Sequence, residues 1–248
     1  MKEKVASTID NDEIERFSRI ASEWWNPTGK FKPLHQINPL RIGRIRDAAC
    51  QHFGKNAGNA APLAGLSLVD IGCGGGLIAE PMCRLGAGIT AIDAAEKNIK
   101  TASLHAQQGG LSIDYQNTSA EALAAGGVQY DIVLALEIVE HVADTALFME
   151  TVCSLVKPGG LLFVSTLNRT VKSYAMAIVG AEYILRWLPV GTHQWKKFLR
   201  PSELCRPIRS HGLDITDMAG LVYNPFDGSW RWDDHDLSVN YMIGAVKK

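Results

Sequence analysis

Four glycines in five positions end the run Asp70-Ile71-Gly72-Cys73-Gly74-Gly75-Gly76, just after the apolar residues Leu68 and Val69. An apolar stretch followed by such a run reads as a buried strand, a tight turn and a helix over about 77–85. Glycine is needed in that turn because a Cβ would keep backbone N–H groups away from a ligand. The helix directs its positive N-terminal end at whatever the loop holds. Twenty-one positions after Gly72, the run Gly88-Ile89-Thr90-Ala91-Ile92-Asp93 ends in a carboxylate suited to both hydroxyls of a ribose. Together these residues describe a nucleotide-type cofactor site. The dinucleotide fingerprint needs a third glycine three residues after the second, and Leu77 stands there, so that fingerprint fails. Asp70, two residues before the first glycine, suits a cationic or amine-bearing ligand better than a pyrophosphate. A second cluster is Glu137-Ile138-Val139-Glu140-His141. In a helical turn Glu137, Glu140 and His141 are related by i, i+3 and i+4 and converge on one face. Two carboxylates and an imidazole can hold Mg2+ or another divalent cation; a metal-free base at His141 and a purely structural role are the alternatives.

These groups need a scaffold. The periodicity predicts a helix opened by an Asp10/Glu13 capping box and carrying Ile14, Phe17, Ala21 and Trp24, which stops near Trp25-Asn26-Pro27. Residues 29–41, rich in proline and basic side chains, read either as a solvated linker or as a lid over the cofactor. A helix over 39–53 and a Gly/Ala/Pro loop over 54–65 lead to the core, so a helical lid segment 1–65 precedes a domain 66–248. There the α/β alternation continues: helix 95–108, strand 111–116, strand Tyr130–Leu136, helix 144–156, the turn Lys157-Pro158-Gly159-Gly160 and strand 161–166. A helix from Pro201 and two strands, Leu213–Tyr223 and 237–246, complete the chain. The expectation is an α/β fold with a doubly wound parallel sheet.

Of 248 residues, 46% are hydrophobic and 21% charged, which suits a soluble globular protein with a sizeable core. A net charge of −1 argues against a nucleic-acid partner. Five cysteines, none in a Cys-x-x-Cys pair, fit neither a disulfide framework nor a zinc site and favour a reducing compartment. The acidic N-terminus resembles neither a secretory signal nor a transit peptide. One insertion, 168–200, breaks the pattern. Its apolar stretch 174–188 is too short to span a bilayer, with Glu182 and Arg186 set centrally on one helix face. Arg169, Lys172, Arg186, Lys196, Lys197 and Arg200 against Glu182 give the segment a net +5. That composition suits a helix lying in a membrane interface beside anionic lipid; a lid over the active site or a subunit contact is the alternative.

The glycine run, its helix and the downstream acid resemble the first motif of class I S-adenosylmethionine methyltransferases, and the Pro-Gly-Gly turn before a strand is another feature of that family. The resemblance implies a Rossmann-like sheet with an antiparallel C-terminal hairpin, and S-adenosylmethionine as cofactor. It places Ser119-Ala120-Glu121-Ala122 where an adenine is contacted, an ordinary helix N-cap being the alternative. With the lid reading, Arg41 pairs the methionine carboxylate. Trp24-Trp25, Phe31-Lys32-Pro33-Leu34-His35, Ile37-Asn38-Pro39-Leu40-Arg41, Glu137-x-x-Glu140-His141, Ser165-Thr166-Leu167-Asn168-Arg169, the run 179–185 and Asn240-Tyr241-Met242 closely resemble the ubiquinone-biosynthesis O-methyltransferases. That resemblance runs almost end to end. It implies methylation of ring hydroxyls on polyprenylated phenol or catechol precursors at two steps of the pathway, with cofactor contacts at Arg41, Gly72, Asp93 and Leu136 beside Asp70 and Gly74. It also implies a divalent metal at Glu137, Glu140 and His141, as in the family's eukaryotic members, which would lower the pKa of a chelated catechol. A bilayer-dwelling acceptor gives 168–200 a reason to exist, and a cytoplasmic chain peripheral to the inner face of the membrane is expected. Other enzymes of the pathway are candidate partners. A soluble small-molecule methyltransferase and a lipid-surface scaffold without turnover are the competing readings.

Overall fold

The computed structural model describes residues 7–176 and 194–248. Along the chain run α1 (Asn11–Arg19), α2 (Lys32–His52), β1 (Ser67–Ile71), α3 (Ala79–Arg84), β2 (Gly88–Asp93), α4 (Glu96–Gln108), β3 (Asp114–Asn117), α5 (Ala120–Ala124), β4 (Tyr130–Leu136), α6 (Thr145–Ser154), β5 (Val156–Leu167), the single turn α7 (Val171–Ser173), α8 (Pro201–Ser210), β6 (Leu213–Tyr223), β7 (Trp230–Asp233) and β8 (Asn240–Lys247). The strands form one sheet in the order β3-β2-β1-β4-β5-β8-β6-β7. β1 to β5 are parallel to one another, whereas β8 runs antiparallel to both β5 and β6.

Strands apolar on both sides must be covered on both sides. On one face Val69, Ile71, Val133 and Ala135 pack with Phe148 and Val152 of α6 and with Leu204 and Ile208 of α8. On the other, Leu68, Ile132 and Leu134 meet Ile45 and Ala49 of α2 and Met82 of α3. The chain winds outward from β1 to β3, then crosses to β4. The carboxyl ends of β1 and β4 therefore flank a topological switch point, where open α/β sheets bind ligands. This is the class I Rossmann-like arrangement expected from the sequence, with its antiparallel hairpin.

Several boundaries differ from expectation. α2 begins at Lys32 and absorbs the basic, proline-rich stretch, because Pro33 falls in the first turn, where its missing N–H costs nothing. α3 is only six residues long. The Pro158-Gly159-Gly160 turn lies inside β5: Tyr130 pairs with Val156 and Ile132 with Leu161, so the extra residues bulge out of register. β7 was not anticipated; Trp230 and Trp232 form it, paired with Tyr223 and Leu221 of β6. The insertion is described only at 168–176 and 194–200, so Glu182, Arg186 and most of its apolar stretch lie outside the described residues. Among the described residues no helix is long and apolar enough to cross a membrane.

Arg44 of α2 bonds both carboxylate oxygens of Asp217 on β6, at 2.6 and 2.5 Å, and lies over the Trp232 ring at 4.9 Å. Because this clamp ties α2 to the hairpin edge, Arg44→Ala should cost about 1–2 kcal/mol. A calorimetric melt should show this as a fall of roughly 2–8 °C in the midpoint, with little recovered by Arg44→Lys, which lacks the fork. An unchanged midpoint would show that the clamp carries no stability.

Candidate active site

Beyond β1 the backbone doubles back at three left-handed glycines, Gly72 (φ 74°), Gly74 (φ 54°) and Gly76 (φ 87°). The N–H groups of Gly72 and Cys73 both bond the Ile92 carbonyl at the end of β2. The next N–H, of Gly74, donates to Asp93 Oδ2 at 2.9 Å, while Asp93 Oδ1 accepts from Ala95 N at 2.7 Å and Asn98 Nδ2 at 3.2 Å. Loop and acid are thus one hydrogen-bonded unit.

The glycines also make room for protein. A Cβ on Gly74 or Gly75 would run into the side chain of Trp24. Trp24 stacks on Phe31 at 3.7 Å and donates from its indole to Asn98 Oδ1 at 2.9 Å. Trp25 donates to the Gly75 carbonyl and stacks on His105, which in turn meets the buried Glu80 at 2.7 Å. His35, a candidate lid residue, bonds the Trp24 carbonyl. The segment carrying both tryptophans is therefore seated on the glycine loop.

Asp70 is buried, and its Oδ2 has no hydrogen-bond partner. Burial, with the nearby Asp93, pushes its carboxyl up to about 7. Burial also raises Asp93, held back by the bonds from Ala95, Gly74 and Asn98. A buried and a half-buried acid side by side suit a cation better than another anion.

At the end of β4, Glu137 adopts a left-handed backbone (φ 54°), the one such non-glycine among the described residues. Its Oε1 accepts from the buried Arg41, from Ser165 Oγ at 2.9 Å and from Asn240 Nδ2 at 2.9 Å. The helical turn expected over 137–141 does not form: only 139–141 make a short 3-10 turn. Glu140 turns into the core, where burial and the Glu137 charge hold its carboxyl well above the usual range. His141 instead turns its Nδ1 to Glu13 of α1 at 3.2 Å, with Phe17 edge-on to its ring. Glu13 also pairs with Arg16 and, at 3.4 Å, with Lys197.

These partners decide the fit of a divalent ion. Glu137 is committed to Arg41, Glu140 is buried, and His141 faces Glu13. Among the described residues no three His, Cys, Asp or Glu side chains converge as a metal set. In this arrangement Glu137, Glu140 and His141 do not fit one.

One cavity of about 640 Å3 gathers the expected site residues: Asp70, Gly72, Gly74, Asp93, Leu136, Arg41, Glu137, Glu140 and His141 all line it. So do Ser119, Ala120 and Glu121 and, from the insertion, Lys172, Ala175 and Met176. Sequence reasoning missed Glu13, Asn98 and Asn240. Glu13 was expected to complete a capping box; Asp10 does cap α1, at Asp12 and Glu13 N–H, but the Glu13 carboxylate is turned away to His141. Nothing in the sequence marked Asn98, five residues past Asp93 in the first turn of α4. His193, which the sequence leaves as either a substrate contact or part of a basic loop, lies outside the described residues.

A family model described as a methyltransferase domain matches residues 42–217. Over 247 residues the chain is 54% identical to the ubiquinone biosynthesis O-methyltransferase of Rhizobium etli, covering 100% of this chain and 99% of that one. Over 241 residues it is 55% identical to the protein of the same name from Cereibacter sphaeroides, covering 97% and 98%. The chain belongs to the ubiquinone biosynthesis O-methyltransferase family. It is an S-adenosylmethionine-dependent O-methyltransferase. Among solved structures, the fold is similar to magnesium protoporphyrin IX methyltransferase from Synechocystis PCC 6803 with bound S-adenosylmethionine, at a TM-score of 0.65, 15% identity and coverage of 98% and 100%. A plantazolicin methyltransferase is similar at 0.66, with 15% identity and coverage of 96% and 98%.

The raised Asp70 has a measurable consequence. Its folded pKa lies above the unfolded value, so its contribution to stability is fully present below about pH 4 and is lost as pH rises towards 7, at up to about 1.4 kcal/mol per unit. Urea unfolding of the cofactor-free chain between pH 5 and 7 should therefore show a shallower loss for Asp70→Asn than for the wild type. Equal slopes would mean that Asp70 is not held protonated.

Proposed function

We propose that the enzyme methylates ring hydroxyls of polyprenylated catechol-type intermediates in ubiquinone biosynthesis, the demethylated ubiquinol and the polyprenylated hydroxyphenol. The observation that carries this reading is the single cavity lined by the Asp70/Asp93 pair, by His141 and by the apolar start of the insertion. The relatives' shared name supports the pathway.

When bound, S-adenosylmethionine supplies an electrophilic methyl on a sulfonium. Asp93 accepts from the ribose and Asp70, on losing its proton, faces the ammonium group. Arg41, bonded through one nitrogen to Glu137 and through another to Asn38 at 3.4 Å, keeps an unpartnered Nε for the methionine carboxylate. Leu136 gives an apolar contact. On the acceptor side, His141 is the base. With its Nδ1–H donated to Glu13, the lone pair sits on Nε2 and takes the phenolic proton as the oxygen attacks the methyl in line. Glu13 fixes the tautomer and stabilises the imidazolium that forms. No step runs through a metal.

We also infer peripheral contact with a lipid surface through 168–200. Exposed Val171, Tyr174, Met176 and Trp195 support it. Charge supports it less than composition suggested, because Arg169 pairs with Glu203, Lys172 with Asp236 and Lys197 with Asp10.

Incubation with methyl-labelled S-adenosylmethionine and a prenylated catechol should put label in the lipid extract. His141→Ala should lower kcat by roughly 10²–10⁴-fold, with Glu13→Gln acting in the same direction but less. No label in the extract refutes the function, and full activity in His141→Ala refutes the base. In vesicle sedimentation the chain should pellet with anionic lipid, and Trp195→Ser should weaken this; a chain that stays in the supernatant contradicts the membrane reading.

A further inference from the structure

The ribose acid is more heavily committed than a diol ligand needs to be. An ionised carboxylate offers about four lone-pair positions. Among the described residues, Gly74, Ala95 and Asn98 occupy three of those on Asp93. One remains, and a ribose presents two hydroxyls.

Asn98 lies beside it, 2% exposed and lining the same cavity. Which end of a buried amide is oxygen is normally a matter of inference, but Trp24 settles it here. An indole N–H can only donate, so the atom it meets at 2.9 Å is Asn98 Oδ1, and the amide NH2 is turned to Asp93. Each end of that amide keeps one further capacity, a lone pair on Oδ1 and a hydrogen on Nδ2. Trp24 itself belongs to the N-terminal segment seated on Gly74 and Gly75.

We propose that Asn98 is the second ligand of the cofactor's ribose diol, sharing it with Asp93, and that Trp24 holds the Asn98 amide in the orientation this requires. The proposal rests on the reading that an adenosyl cofactor occupies this cavity. It makes the diol a specificity determinant read jointly by a helix of the core and by the segment that covers the glycine loop. A flipped amide would set its oxygen against the Asp93 carboxylate, so loss of the Trp24 N–H weakens ribose recognition without touching the ribose.

The test is isothermal titration of wild type, Asn98→Ala and Trp24→Phe with S-adenosylhomocysteine and with its 2′-deoxy and 3′-deoxy analogues. In the wild type, each deoxy analogue should bind about tenfold more weakly than the parent. In Asn98→Ala the ratio for the hydroxyl that Asn98 holds should collapse towards one while the ratio for the hydroxyl left to Asp93 persists, and in Trp24→Phe, which keeps the aromatic ring, the Asn98-dependent ratio should fall part of the way. A general loss of packing would weaken parent and analogues alike and leave the ratio unchanged, so an unchanged ratio in Asn98→Ala overturns the proposal. Should that variant fail to fold, Trp24→Phe decides alone by the same ratio. A wild-type chain that binds no S-adenosylhomocysteine refutes the underlying cofactor reading, whereas one that binds it with no preference between ribose and deoxyribose refutes this proposal only.

Discussion

A guanidinium almost wholly removed from water has to be paired, and the Arg41–Glu137 ion pair is what the architecture around the active site depends on. Glu137 is bonded at once to α2, through Arg41, to β5, through Ser165, and to β8, through Asn240. A left-handed backbone is costly for a residue with a Cβ, and it persists where surrounding bonds over-determine it. Here three donors and the backbone bond from Glu137 N to the Ser165 carbonyl hold it. The twist sends the following residues in different directions, Glu140 inward and His141 towards α1. The same strain that seats Arg41 beside the cofactor cavity therefore separates the two carboxylates from the imidazole.

The cofactor side follows a different logic, in which a buried and a half-buried acid face a cavity with, among the described residues, no cation of the protein bonded to either. Among the described residues, Asp70 has no partner on one oxygen and Asp93 is held by N–H donors. Such an arrangement is uncomfortable for the empty protein, and it favours a ligand carrying positive charge and hydroxyl donors. A sulfonium nucleoside with an ammonium group has both. The segment holding Trp24 and Trp25 covers this site, and α1, from the same end of the chain, supplies Glu13 to His141. Residues that precede the methyltransferase sheet thus complete both halves of the cavity.

Much of this was legible in the sequence where periodicity or glycine carries the signal. The strands Gly88–Asp93 and Tyr130–Leu136 fall where apolar runs and turn residues put them, because a central parallel strand has little polar alternative, and Leu213–Tyr223, with Asp214 and Thr216 exposed, also falls at its expected bounds. The glycine loop and Asp93 were legible for the same reason: few other uses exist for that spacing. The turn after β4 was not. An i, i+3, i+4 reading assumes helical dihedrals, and nothing local in Glu137-Ile138-Val139 warns that Arg41, 96 positions earlier in the chain, twists the first of them out of the helical region. Glu13 and Asn98 escaped because each reads locally as something ordinary, a capping-box partner and a residue of a helix's first turn, while the bonds that bring it to the cavity are long-range. Residues 29–41 read as linker or lid, with the helix starting only at Pro39, because proline and basic side chains suggest coil; Pro33 instead falls in the first turn of α2, where proline favours a helix.

The proposed methyl transfer turns on both reactants meeting in one cavity with the Glu13–His141 pair at the acceptor. A crystal structure of the enzyme with S-adenosylhomocysteine and a prenylated catechol measures that directly. The expected result is a ring hydroxyl about 2.6–3.2 Å from His141 Nε2 with Glu13 still on Nδ1, and the other hydroxyl without a metal on Glu137 or Glu140. A catechol chelated to an ion held by those two carboxylates, or seated away from His141, would contradict it.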